Sequence, residues 1–118
     1  MNRHAAEKRG RGAETLACWY LRLHGWRILA RRARVPGGEV DIVARRGRVL
    51  IFVEVKARST LDAAAESLLV RQQRRIAAAA SFWLSLNPHD VESEIRFDAV
   101  LVAPGKIPRH IPAAFETE

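Results

Sequence analysis

Residues 39–56 constrain the fold of this chain more than any other segment. Val40-Asp41-Ile42-Val43-Ala44 and Val49-Leu50-Ile51-Phe52-Val53-Glu54-Val55 are rich in β-branched residues and flank Arg45-Arg46-Gly47-Arg48, which is the pattern of a β-hairpin. A two-residue turn at Arg46-Gly47 and a four-residue loop from Arg45 to Arg48 both pair Ala44 with Val49. Successive side chains on a strand alternate between faces, and directly opposed residues share one. One face then carries Val40, Ile42, Ala44, Val49, Ile51, Val53 and Val55, all apolar. The other carries Glu39, Asp41, Val43, Leu50, Phe52, Glu54 and Lys56. A one-residue slip would destroy this split. Glu39 is expected opposite Glu54, with Asp41 diagonal to it.

Such a cluster is costly without a purpose, because close carboxylates repel. Glu39, Asp41, Glu54 and Lys56 sum to a charge of −2, which a hard divalent cation would neutralise. Mg²⁺ takes one or two carboxylates, keeps several waters and accepts phosphate oxygens. A lysine two residues from a ligand lies on the same face, where it can position an attacking water or stabilise charge developing on phosphorus. The competing reading is that Glu54 and Lys56 form a surface ion pair with Glu39 or Arg58, since Glu-x-Lys on a strand is commonplace and exposed pairs are weak.

The rest of the chain reads as one domain, at 118 residues. Residues 1–12 read as a loose basic arm and 13–118 as the folded domain. Leu16, Ala17, Tyr20 and Leu21 recur at helical spacing and Gly25 follows as a C′ glycine, predicting a helix over 13–24. Residues 26–35 read as a first strand, and Pro36-Gly37-Gly38 as a turn. After a loop and helix entry over 59–65, Leu68, Leu69, Ile76, Ala80, Trp83 and Leu84 form one stripe of a long helix that Asn87-Pro88 stops. Residues 94–102 are a fourth strand, and a proline-punctuated tail follows.

Lys and Arg number 20 against 13 Asp and Glu, giving a net charge of +7. Nearly all of it is arginine, a residue suited to bidentate phosphate contacts, and such a field attracts nucleic acid. Arg71, Arg74 and Arg75 near the start of the long helix are candidate phosphate contacts; a solvated helix face explains them equally well. The single cysteine, Cys18, excludes an intrachain disulfide and suits a reducing compartment. Met1-Asn2-Arg3-His4 opens no apolar signal core, and no apolar run approaches the ~20 residues needed to span a bilayer. A cytoplasmic protein without membrane association is therefore expected.

Glu14 lies at the edge of the apolar stripe of the first helix, where it can reach the sheet as a further acid, or can simply favour the helix N-terminus. Asp98 reads as a structural partner for an arginine of the first strand. Cys18 reads as a core residue, Trp19, Trp26 and Trp83 as packing residues, and the four histidines show no metal-ligand spacing.

The motifs together resemble the YraN-like family, small bacterial proteins with a restriction-endonuclease-like fold similar to archaeal Holliday-junction resolvases. The likeness runs from Gly10-x-x-x-Glu14 with Ala17 and Leu21, through Arg34, Gly38-Glu39-Val40-Asp41-Ile42-Val43 and Phe52-Val53-Glu54-Val55-Lys56-Ala57-Arg58, to Arg96-Phe97-Asp98 and Ile111-Pro112-Ala113-Ala114-Phe115. It implies an α/β fold, a single restriction-endonuclease-like domain with an αβββαβ core and a mixed sheet flanked by helices. It further implies Asp41 and Glu54 as ligands of Mg²⁺ or Mn²⁺, Lys56 as the catalytic lysine, Glu14 as the extra acid and metal ligand from the first helix, and Glu39 as part of the glycine-glutamate pair. Arg34 and Arg58 join the three helix arginines as expected nucleic-acid contacts. Two positions depart from the pattern: Arg32 stands where asparagine is frequent, and Gln72 where lysine is common. The expected function is a metal-dependent endonuclease acting on DNA, branched or damaged, as a homodimer. The alternatives are a nucleic-acid-binding accessory protein of the same fold with little or no catalysis, and an adaptor whose acidic patch docks a basic protein.

Overall fold

The computed structural model describes residues 3–68 and 70–114. Helix α1 (Arg3–Leu23) leads into strands β1 (Arg27–Val35), β2 (Gly38–Arg46) and β3 (Val49–Ala57); helices α2 (Leu61–Glu66) and α3 (Val70–Leu86) and a 3₁₀ turn (Pro88–Glu92) return the chain to β4 (Glu94–Val102) and β5 (Arg109–Ile111). The expected α-β-β-β-α-β order is present, with α2 and β5 added. The sheet runs β1-β2-β3-β4-β5. It is mixed, because β3 pairs antiparallel with β2 and parallel with β4. The helical crossover between β3 and β4 supplies what a parallel pair requires.

Both faces of the sheet are covered. Ala13, Ala17, Cys18 and Leu21 of α1 pack with Ile42, Ala44, Ile51, Val53 and Val100 on one side. On the other, Ile76, Ala79 and Ala80 of α3 pack with Val40, Val43, Leu50 and Phe52. A face shared by charged and apolar residues in the sequence is thus a second core over most of its length.

The start of α1 differs from the sequence expectation. Helical backbone begins at Arg3, so residues 3–12 continue the helix instead of forming a loose arm. The far end is as expected: Gly25, at φ 87°, closes the helix with Gly25 N–H on the Arg22 carbonyl and Trp26 N–H on the Leu21 carbonyl, the paired bonds of a Schellman cap. Two side chains depart from their expected roles. Leu16 and Trp19 are 42% and 57% exposed, so neither belongs to the core.

The hairpin register also differs. Arg46 pairs with Val49 and Ile42 with Val53, so the turn is Gly47-Arg48 and the pairing has moved two residues from the expected one. Gly47 takes φ 60° at the first turn position, where a type II′ hairpin turn reserves a glycine. A two-residue shift preserves parity, so the two faces survive with one exception: Val40 packs with the α3 side. Asp98 is buried on β4, held by Arg96 at 2.8 and 2.9 Å and by His110 at 2.6 Å, while the Ala113 N–H donates to it at 3.0 Å. Its arginine partner is therefore on its own strand and not on β1.

Candidate functional site

The ladder between β2 and β3 ends at Ile42↔Val53, although β2 begins at Gly38 and β3 continues to Ala57. The strands part there like a fork. Continuing the register puts Asp41 opposite Glu54 at the mouth of the fork. Past it, the Val55 N–H finds a side chain where a ladder carbonyl would be, and donates to Asp41 Oδ2 at 2.7 Å. Burial raises the Asp41 pKa from 3.8 to about 7, and the neighbouring Glu54 charge adds to the rise; the Val55 N–H opposes it, and the Glu14 and Glu39 charges contribute further.

The other sequence-predicted residues are placed as follows. Lys56 Nζ lies 3.1 Å from Glu54 Oε1, with the two side chains 9% and 14% exposed. This pair is mostly buried, unlike the surface ion pair that the sequence allowed. Glu14, on α1, is itself buried and faces the same region. Its two oxygens accept from Arg32 Nε at 3.1 and 3.0 Å, and Arg31 Nε lies 3.9 Å away. Glu39 does not lie against Glu54. It pairs with Arg34 at 3.6 Å and Arg75 at 3.5 Å, at a separate depression between the β1–β2 turn and α3.

A cavity of about 830 Å³ opens beside Asp41, with Glu14, Lys56, Arg58 and Lys106 on its wall. Arg58 is exposed and its Nη1 donates to the Ala57 carbonyl at 2.7 Å. Arg74 and Arg75 are exposed on α3, and Arg34 is exposed on β1; the Arg71 side chain lies outside the described ones. The exposed arginines therefore come from more than one element, and Arg58 is the one on the wall of this cavity. Sequence reasoning gave no role to Arg31, marked Arg32 only as a departure from the family pattern that could alter how nucleic acid is held, and overlooked Lys106. A left-handed residue inside a strand leaves no periodic trace, so the strand pattern did not show the backbone break at Arg32.

Among the described residues no three or more His, Cys, Asp and Glu side chains form a group that could hold a metal ion. Glu14 is held by Arg32 and Glu54 by Lys56, which leaves Asp41 with no ion pair among the described residues. The donor chemistry nevertheless fits a hard cation. Asp41 and Glu54 are oxygen donors close enough for one charge to oppose the other, and Mg²⁺ needs no more than one or two protein carboxylates.

Residues 13–102 match the model of the Uncharacterised protein family UPF0102. The chain belongs to this family. The UPF0102 protein of Rhodopseudomonas palustris strain HaA2 is 56% identical over 98% of this chain and 90% of its own length. That of Bradyrhizobium diazoefficiens strain USDA 110 is 54% identical over 97% of this chain and 86% of its own. The Methylorubrum extorquens strain PA1 member is 51% identical over 98% and 91%. The YraN-like resemblance read from the motifs is this family, and the matched UPF0102 region holds Glu14, Asp41, Glu54 and Lys56 together. No helix of the described residues is long and apolar enough to cross a membrane.

Proposed function

We propose that this UPF0102 protein is a divalent-metal-dependent endonuclease that hydrolyses phosphodiester bonds in DNA, with branched or damaged DNA as the substrate class. The observation that carries the reading is the meeting of Asp41, Glu54 and Lys56 at the fork between β2 and β3, beside an open cavity. A buried ion pair adds little net stability compared with apolar packing, and an uncompensated carboxylate beside it works against folding. An arrangement that costs stability at the rim of a cavity fits a chemical role.

Asp41 and Glu54 would hold Mg²⁺ or Mn²⁺, which supplies charge stabilisation at phosphorus and a bound water of lowered pKa. The Val55 N–H fixes the orientation of Asp41 and leaves its other oxygen for a ligand. Lys56 is desolvated and held by Glu54, so its ammonium faces a substrate with few competing waters. Arg58 and Lys106 at the cavity wall, with Arg34, Arg74 and Arg75 outside it, offer contacts for phosphates flanking the cut. A homodimer would give two such sites for a paired cut.

The accessory reading has its own support: Glu14 and Glu54 are both engaged by cations of the chain, as in a site that binds without cutting. Purified protein and Glu54→Ala, incubated with linear, nicked and four-way-junction DNA across Mg²⁺ and Mn²⁺, separate the two. Metal-dependent cleavage lost in Glu54→Ala is the expected result. Salt-sensitive binding with no cleavage by either protein would establish the accessory reading instead. Absence of both at low salt would leave the adaptor reading.

A further inference from the structure

Residues two apart on a strand share a face, yet Arg31 and Ala33 do not. Arg31 reaches α1, where its Nη2 donates to Thr15 Oγ1 at 3.0 Å, whereas Ala33 packs on the α3 side. The exchange is repeated across the ladder. Ile42, opposite Arg31, lies under α1, and Val40, opposite Ala33, lies with α3. Arg32 stands between them with φ 53°, in the left-handed region. By the same register it is opposite Asp41.

The left-handed region is disfavoured for a residue with a Cβ; glycine tolerates it, and asparagine does so better than most. What the strain brings here is specific. A regular strand would point Arg31 and Arg32 to opposite faces, and Arg31 alone would face Glu14, from 3.9 Å. The left-handed residue sends both arginines to α1, and Arg32 Nε engages both Glu14 oxygens, at 3.1 and 3.0 Å. Strain of this kind persists where the surroundings enforce it, and it gathers at functional sites.

We propose that Arg32 is a positioning residue of the site, an internal counter-ion that holds the Glu14 carboxylate in competition with a divalent cation, and that the left-handed backbone serves to bring its guanidinium there. The inference rests on the metal site proposed above. Coupling of this kind is reciprocal: a cation that engages Glu14 weakens the Arg32 contact, and removing the guanidinium strengthens cation binding by the same factor. In this state Arg32 satisfies a buried carboxylate that lines the cavity beside Asp41.

The test is calorimetric titration of the full chain with Mn²⁺, without nucleic acid. It compares the parent with Arg32→Asn, Glu14→Gln and the double variant, each checked by circular dichroism. Asparagine removes the guanidinium and tolerates the backbone, so Arg32→Asn is expected to bind Mn²⁺ roughly fivefold more tightly or better. The gain is expected to vanish in the Glu14→Gln background. Arg32→Gly must reproduce the result, and it serves if asparagine disturbs folding. A parent that binds Mn²⁺ no more weakly than Arg32→Asn and Arg32→Gly overturns the counter-ion role and leaves the metal site standing. Absence of Mn²⁺ binding in parent and variants alike overturns both.

Discussion

Asp41 is a carboxylate whose surroundings favour its neutral form. Its pKa is raised to about 7 by burial first and by Glu54 second, so between about pH 4 and pH 7 the folded chain binds a proton that the unfolded chain has released. Stability therefore falls as pH rises through that window, and the full cost of the ionised group is present above it. Asparagine keeps an oxygen for the Val55 N–H and carries no charge. Asp41→Asn is expected to be more stable than the parent by about 4 kcal/mol at pH 8, with the advantage shrinking toward zero near pH 4. Urea melts at the two pH values measure it, and an advantage independent of pH would remove the charge-based account. Asp41, Glu54 and Lys56 were legible in the sequence because a register that differs by two residues leaves the same side chains on each face. Glu39 was not, because its position depends on where the strands part, and Arg34 and Arg75 draw it to the other side of the β1–β2 turn. Arg32 stood out in the sequence only as a departure from the family pattern; its contact with Glu14 was hidden because strand periodicity assumes regular backbone, and Arg32 breaks it.

The β1–β2 ribbon is anchored by its own turn. Pro36-Gly37 makes the connection, with Gly37 at φ 78°, and Gly38 then passes so close to α3 that a Cβ would lie 2.3 Å from the Arg75 carbonyl oxygen and 2.8 Å from the Ala79 nitrogen. These are backbone atoms and cannot swing aside. Gly38→Ala is expected to cost roughly 1–3 kcal/mol by overpacking and to displace the Asp41 end of β2. A denaturant midpoint indistinguishable from the parent's would mean that α3 does not pin the ribbon. At the opposite edge of the sheet, β5 is three residues between prolines, too short to show any period, so it could not be read from the sequence. Its attachment is chemical: Asp98 takes Arg96, His110 and the Ala113 N–H together. Burial pushes the Asp98 pKa up, but the hydrogen bonds from His110, Arg96 and Ala113 outweigh it and hold the group below 3.8. Its stabilisation is present above that value and is lost as pH falls through the lowered pKa. Asp98→Ala strands Arg96 in a partly buried position, and a loss of about 3 kcal/mol at pH 7 is expected, with faster amide exchange at Leu101, which pairs with Arg109. Retained protection at Leu101 would show that β5 holds without the acid. The boundaries of β4, residues 94–102, were legible in full, because a long β-rich run between a polar turn and Pro104 admits one strand and little else.

The net charge of +7 does not reveal which arginines are free to meet a phosphate, and the fold decides this. Arg32, Arg45 and Arg96 are committed to Glu14, Asp90 and Asp98, and Arg46 lies 4.3 Å over the Trp26 ring. Arg34, Arg58, Arg74 and Arg75 are exposed. Two of these, Arg34 and Arg75, share Glu39, so one acid restrains part of the field that would grip a backbone. The molecule is 41 Å in its longest dimension, which at 3.4 Å per base step is roughly 12 base pairs of duplex. On the proposed DNA-binding reading a single chain therefore has room for a handful of phosphate contacts, and the logarithm of DNA affinity in EDTA should fall linearly with the logarithm of salt concentration, by about 0.9 per contact. Arg74→Ala and Arg58→Ala are each expected to reduce the slope by about 1 and to weaken binding across sequences. Glu39→Gln is expected to act in the opposite direction, steepening the slope as Arg34 and Arg75 are released. Fluorescence anisotropy of labelled duplex and junction DNA between low and moderate salt reads all three. A Glu39→Gln slope equal to the parent's would mean that those two arginines do not face the nucleic acid, and the binding surface would then have to be sought on the cavity side, around Arg58 and Lys106.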